Sequence, residues 1–351
     1  MNPERKKSFT SERYLVSHPV RPEDEGLRLD SFVHLHMPTL SREFLKQKII
    51  QGDVSISGRT SPHKPSVKVH AGEEVSIVTY FSPFLEDEHW YGKPIELIEN
   101  PVTIFEDEDL IVCMKPPFMI THPAGKHLFY CATVFYGSLL NKVMHSIHRL
   151  DRETSGLLLL GKNPQVSQKI SSQFEHDQVR KCYFLIAKKT PQSKPFPFTA
   201  YESMDRDETK TPRGKMWINP HGKEAQTHFE LLKDLGDYVL VLAFPMTGRQ
   251  HQIRLHAAHH GCPLLGDKMY GEDSGIFIRF KDGNPTIEDH EYLEIPRQAL
   301  HALAIKLNYP EEVKKVFRAP LPKDLNDWLQ KKFPQVFQEL NQLIENKLKD
   351  F

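Results

Sequence analysis

Asp151 is the residue of this sequence best suited to chemistry. It stands in His148-Arg149-Leu150-Asp151-Arg152-Glu153-Thr154-Ser155-Gly156, a carboxylate between two arginines, and Leu157-Leu158-Leu159-Leu160 follows at once. A Ser-Gly turn leading into a short all-apolar run reads as the entry to a buried strand, so Asp151 should lie at the mouth of a folded core. An arbitrary surface aspartate caps a turn or joins an ion pair of small worth. A carboxylate kept ionised by neighbouring guanidinium groups can instead attack or stabilise a reacting carbon.

Two other stretches carry groups that could work with it. Arg180-Lys181-Cys182-Tyr183-Phe184-Leu185-Ile186-Ala187-Lys188-Lys189 reads as a strand flanked by cations, in which Tyr183 taken alone is a core aromatic. From Lys162 to Lys189 six basic residues outnumber Glu175 and Asp177, a local basic surface in a chain whose formal net charge is +0. Thr247-Gly248-Arg249-Gln250-His251-Gln252-Ile253-Arg254-Leu255-His256 leads into a helix ended by Gly261 and Pro263, and Arg254 taken alone is a solvated helix charge. His251, His256, His259 and His260 raise the question of a metal. No Glu follows the first histidine and no Asp or Cys completes a set, so no metal site is expected. His301, within the apolar Leu300–Ile305, reads as a satisfied core residue.

The elements that must position these groups mix helix and strand. Val102–Glu106 and Leu110–Lys115 read as two strands about an acidic turn, stopped by Pro116 and Pro117. Asn163 caps a helix that Pro164 opens, with Val166, Ile170 and Phe174 inward; Ala225–Leu232 and Tyr238–Phe244 form a hairpin about Gly236; 202–215 reads as a loop. The expected division is a flexible lead over 1–20, a small α+β domain over 21–80, an acidic, proline-bearing linker over 81–100, a main domain over 101–320, and a helical extension over 321–351 docked on the core. In the helix that Ser41 caps, Phe44, Leu45 and Ile49 are expected inward, and Arg42, Lys46 and Lys48 outward.

Composition sets the outer bounds. With 351 residues, 39% hydrophobic and 26% charged, the chain fits a two-domain globular protein. No apolar run approaches the roughly 20 residues of a membrane span. The polar start lacks the apolar core of a secretory signal. Together these point to the cytoplasm, while Cys113, Cys131, Cys182 and Cys262, far apart and forming no CxxC pair, point to reduced thiols; a monomer is expected. Zero net charge excludes a uniformly basic nucleic-acid binder, so any such surface must be local.

The pattern His-Arg-Leu-Asp, two variable residues, then Thr-Ser-Gly at 148–156 resembles the active-site signature of RluA-type pseudouridine synthases, matched at seven fixed positions in nine. Residues 26–78 resemble the S4 RNA-binding module in the Arg-Leu-Asp opening, the Ser-Arg helix start and the Gly-x-Val-x-Ile-x-Gly hairpin. Together the resemblances span about 26–78 and 102–320. They imply an α+β fold on a mostly antiparallel sheet with flanking helices, and isomerisation of uridine to pseudouridine in structured RNA, ribosomal or transfer, without a cofactor. By the same resemblance Asp151 is the catalytic aspartate, Arg254 pairs with it, and Tyr183 stacks on the target base and can take a proton. Arg149 is implied to enter the stack that the flipped base vacates; from the residues alone, a phosphate contact is as good a reading. Lys115 and His122 would border the cleft, and Arg152, Arg42, Lys46 and Lys48 would meet RNA.

Two alternatives are weaker. An S4-containing RNA-binding protein without activity would have lost Asp, Tyr or Arg, and all three are present. A hydrolase using Asp151 and Glu153 fails because alternate residues of one turn do not set two carboxyls across a substrate. Whether the aspartate bonds to C1′, adds to C6 or leaves the sugar as a glycal stays open.

Overall fold

The four leucines after the signature do form a buried strand, and the active-site loop is built from its entry. The computed structural model describes residues 6–9, 13–37, 41–80, 84–96, 99–124, 130–207, 209–212, 214–310 and 313–351. The chain divides into two units, Met1–Ser82 with His122–Met144, and Pro83–Thr121 with His145–Phe351.

In the first unit, β1 (Lys6–Phe9), β2 (Arg13–Pro19), β3 (Val54–Ile56) and β4 (Glu74–Tyr80) make an antiparallel sheet in the order β1-β2-β4-β3. Alternation puts Tyr14, Val16, Val75 and Ile77 on one face, where they meet Leu29, Phe32 and Val33 of α1 (Leu29–His36) and Leu45 and Ile49 of α2 (Arg42–Gln51). Part of the expected flexible lead is therefore strand: Tyr14 and Val16 bury, from a Tyr-Leu-Val run too short to stand out between polar flanks. Residues 1–5 and 10–12 of that lead lie outside the described residues. Ser41 caps α2 by accepting from the Phe44 amide at 3.2 Å, and Gly52 ends it at φ 87.

The inward stripe of α2 differs from the expected one. It runs through Leu45, Lys48 and Ile49, whereas Phe44 is 43% exposed. Lys48 is buried and donates to Asp53 Oδ2 at 2.9 Å and to the Val78 carbonyl at 3.0 Å. Its apolar stem covers core surface and its ammonium finds two acceptors, so it is not an outward cation. Helix α3 (Ala132–Leu140) completes the helices of this unit among the described residues.

The second unit begins with a hairpin, β5 (Phe84–Trp90) and β6 (Lys93–Glu96), where a linker was expected. Its turn residues Tyr91 and Gly92 both take positive φ, the geometry that matches the twist of a tight hairpin. The main sheet comprises β7 (Val102–Glu106), β8 (Leu110–Lys115), β9 (His145–Ser146), β10 (Ser155–Gly161), β11 (Arg180–Lys188), β12 (Phe198–Ala200), β15 (Thr227–Asp234), β16 (Tyr238–Pro245), β17 (Leu300–Asn308) and β18 (Lys314–Arg318). Its order is β12-β15-β16-β11-β17-β10-β8-β7, with β18 on β17 and β9 on β10, and all pairs are antiparallel except β10 with β17. This is the mostly antiparallel α+β architecture anticipated above.

Both faces of that sheet are covered, so its central strands are apolar throughout. Phe184, Ile186, Leu240 and Leu242 pack with Leu325, Trp328, Leu340 and Ile344 of α8 (Lys323–Lys332) and α9 (Pro334–Lys347), so the C-terminal extension docks on the core as expected. Leu185, Ala187, Val241 and Ala243 pack with Ile253 and Ala257 of α5 (Gln252–His259). Helix α4 (Pro164–Glu175) is capped by Asn163, whose Oδ1 accepts from the Val166 amide at 2.8 Å. Short helices α6 (Ile276–Lys281) and α7 (Ile287–Leu293) follow α5. The expected loop at 202–215 contains β13 (Met204–Arg206), paired with β14 (Met216–Ile218), because Met204 and Met216 bury against Leu255 and Tyr270. Among the described residues no helix is long and apolar enough to cross a membrane.

Candidate active site

Asp151 occupies the turn that feeds β10, and the backbone on both sides of it is tied down. The Leu150 amide donates to Thr121 Oγ1 at 3.2 Å, the Thr154 amide to the Asp151 carbonyl at 3.1 Å, and Lys115 Nζ to the Arg152 carbonyl at 3.1 Å. Lys115 is fully buried, with further bonds to the Pro116 and Met119 carbonyls at 3.0 and 2.7 Å. Burial first, then Arg297, lowers its pKa to about 7. The expectation that it meets RNA is therefore corrected: the proline stop at the end of β8 folds back over it, and three carbonyls take its ammonium. His122 falls in the first unit.

The Asp151 carboxylate is partly open, with its side chain 22% exposed. Arg254 Nη1 donates to its Oδ2 at 3.2 Å, and His251 Nε2 lies 3.7 Å from the same oxygen. Burial pushes the carboxyl up, but His251, Arg254 and Arg149 together more than offset it and hold the group below the usual carboxylate range.

Arg254 is fixed from behind. Its Nε and Nη2 donate to Asp267 Oδ2 and Oδ1 at 2.6 and 2.8 Å, a bidentate pair in which both side chains are buried. Asp267 Oδ1 also accepts from the amides of Met269 and Tyr270 at 2.9 and 3.1 Å. Burial works against the Arg254 charge, yet Asp267 and Asp151 hold it protonated well above the usual range. The helix carrying it is seated by Gln252, whose Oε1 accepts from Thr247 Oγ1 and the Arg249 amide at 2.7 and 2.9 Å; its Nε2 donates to the Gln226 carbonyl and Thr227 Oγ1, both at 2.9 Å.

Tyr183 reaches the same place from the sheet. A register shift between Cys182 and Tyr183 interrupts the β11–β17 ladder, the kind of irregularity that re-aims a side chain. Burial, then Asp151, pushes its phenol up, so it is protonated near neutral pH. Asp151, Tyr183, Arg254, Arg149, Lys181 and His251 all line one cavity of about 610 Å³. Arg149 is exposed at this cavity. Arg152 is half-buried and is not among the lining residues, which departs from the expectation for it: Arg149 and Asp151 line the cavity, while Glu153 pairs with Lys268 at 2.8 Å.

Three residues of this arrangement escaped the sequence reading. Asp267 follows Leu264-Leu265-Gly266 and has no arginine beside it, so its neighbours do not mark it as those of Asp151 do. Tyr270, in the same string, bonds His251 Nδ1 at 3.0 Å. His251 stands in the sequence only as one of the histidines that raise the question of a metal. His256 is tied to Thr227 Oγ1 and the Glu202 carbonyl at 3.0 and 2.9 Å, and His260 pairs with Glu202 at 3.1 Å.

Comparison with known proteins decides which family uses this geometry. Residues 109–259 match the family described as RNA pseudouridylate synthase. Ribosomal large subunit pseudouridine synthase D of Vibrio cholerae is 30% identical over 321 residues, 88% of this chain and 92% of the relative. The chain belongs to the RNA pseudouridylate synthase family. The enzyme of the same name from Haemophilus influenzae is 30% identical over 332 residues, 90% of this chain and 94% of its own. Among solved structures, human RNA Pseudouridylate Synthase Domain Containing 4 shares the fold, with a TM-score of 0.51 at 23% identity over 66% of this chain and 92% of that one. The pseudouridine synthase described here is thus an RNA-modifying isomerase of the RluA type.

Proposed function

We propose that this synthase isomerises specific uridines of structured ribosomal RNA, with Asp151 as the nucleophile, Arg254 as its ion partner and Tyr183 as the group that stacks on the base. The observation that carries the reading is the single bond from Arg254 Nη1 to Asp151 Oδ2 at the wall of a cavity of about 610 Å³. Such a volume falls in the range of about 300–1,000 Å³ that suits one small ligand, here an extruded nucleotide. The exposure of Arg149 at the cavity supports its entry into the stack that the base leaves. The reaction breaks the bond from C1′ to N1, turns the base and joins C5 to C1′; C5 loses a proton and N1 gains one. Atoms and electrons balance within the substrate.

Ribosomal RNA is favoured over transfer RNA by the bacterial relatives, which are named for the large ribosomal subunit. The helix pair and small sheet of the first unit support an S4-like module, with exposed Arg42 and half-buried Lys46 of α2 as its RNA contacts. A location in the cytoplasm fits four free, buried cysteines. Pseudouridines mapped in ribosomal and transfer RNA, with and without the gene, test the proposal. Loss of sites in large-subunit RNA is the expected result, and loss confined to transfer RNA would replace the substrate.

A further inference from the structure

Asp151 is an acceptor with two oxygens, and among the described residues the two side-chain donors that approach it, Arg254 Nη1 and His251 Nε2, approach Oδ2. The second is unexpected in two ways. His251 precedes α5 with φ 57, a left-handed conformation that an L side chain adopts at a cost. Its imidazole is also held at the far nitrogen: Nδ1 lies 3.0 Å from the hydroxyl of Tyr270, a residue 5% exposed.

The proton on that ring can be assigned. Tyr270 oxygen accepts from the Met216 amide at 2.8 Å. If Nδ1 carried the hydrogen, the phenol would accept twice, and its own proton, buried, would have no acceptor among the described residues. If the phenol donates to Nδ1, every group is satisfied. We propose that Tyr270 fixes His251 as the Nε2–H tautomer, and that His251 is a positioning residue which, with Arg254, holds Asp151 by Oδ2 and leaves Oδ1 to react. The proposal rests on the reading of Asp151 as nucleophile and adds the device that orients it.

The charge states agree. Burial, then Arg254, lowers the His251 pKa to about 4, so the ring is neutral where the enzyme works and acts as a dipole. Burial also pushes the Tyr270 phenol up and keeps its proton in place. At 3.7 Å the Nε2–Oδ2 approach is longer than a hydrogen bond, the looser spacing expected before substrate closes the site.

The test is single-turnover tritium release, with full-length enzyme in excess over 5-tritiated ribosomal RNA from cells lacking the gene. His251→Ala should lower the maximal rate about 10–100-fold, the scale of losing an orienting contact, without moving the enzyme concentration at half-saturation. His251→Gln, which keeps an N–H at similar reach, should recover most of that loss. Tyr270→Phe should cost several-fold in the wild-type background and less than about twofold in the His251→Ala background, since it acts through the histidine. Wild-type rates in His251→Ala, equal defects in His251→Ala and His251→Gln, or multiplying effects of the two changes would each overturn the proposal. Should His251→Ala fail to fold, His251→Gln and Tyr270→Phe decide alone: a normal half-saturation with a Tyr270→Phe defect that vanishes in His251→Gln sustains it, and a defect that persists there overturns it. Silence of the wild type would instead overturn the function proposed above, and this inference with it.

Discussion

Asp267 takes two nitrogens of the Arg254 guanidinium and Asp151 takes the third. The buried carboxylate holds the arginine in place, and the arginine then gives the half-open carboxylate one bond of 3.2 Å. Asp151 is thereby kept ionised without being saturated. A carboxylate locked by a full bidentate pair would be a poor nucleophile, because attack would break two charge-assisted bonds.

Asp151→Asn should abolish isomerisation while the protein stays folded, since the amide keeps the shape and loses the charge. Tritium release from C5-labelled RNA, together with the thermal melting curve, checks both halves. Turnover near the wild-type rate would remove Asp151 from the chemistry.

Asp267→Asn leaves a buried guanidinium with one partner instead of two. Breaking a buried pair by removal of one charge costs about 3–5 kcal/mol, so a large drop in urea midpoint and a loss of activity are expected together. An inactive variant of unchanged stability would place Asp267 in the chemistry itself rather than behind Arg254.

Stability should fall in mild acid through the buried histidines. Burial, then Arg297, lowers the His301 pKa to about 3 from an ordinary 6.5, and burial, then Lys181, does the same to His148. Between those pH values the unfolded chain binds protons that the folded chain refuses, so stability is complete above the ordinary value and drains away as the pH falls. His301→Asn should flatten the dependence of melting temperature on pH between 7 and about 4; an unchanged slope would show that His301 does not contribute.

The cations of α2 should separate by burial. Arg42→Ala and Lys46→Ala should each weaken RNA binding and reduce the slope of log affinity against log salt by about 1, if each meets a phosphate. Lys48→Ala should leave that slope alone and lower stability, because it removes the bonds to Asp53 and Val78. A filter-binding salt series with melting curves distinguishes the two classes.

What the sequence disclosed followed from local rules. The turn before Leu157, the Asn163 cap, the hairpin about Gly236 and the apolar stripe of the C-terminal helices are all written in neighbouring residues, and each stands as read. Lys48 and Lys115 were misplaced because a lysine is assigned to solvent by default, and a backbone carbonyl that can take its ammonium lies far off in sequence, as Val78 does, or in a fold-back such as that of Pro116 and Met119. The contacts of Asp151 with His251 and Arg254 join residues a hundred or more apart and have no local trace; Asp267 lies only 13 residues from Arg254, yet its neighbours carry no sign of that pairing, and the family resemblance supplied Arg254 alone.

Gly156 has a consequence for how such an enzyme can change. At φ 111 it lies so near β17 that an added Cβ would fall 2.3 Å from the Ala302 carbonyl oxygen, and the parallel pairing of Ser155 with His301 and Gly156 with Ala302 depends on that closeness. Asp151 is five residues upstream, joined to this seam by a tight turn. The stretch between them has no slack: an insertion or deletion would displace the carboxylate or unzip the middle of the sheet. New substrates must therefore be acquired outside this stretch, while its own length is inherited unaltered.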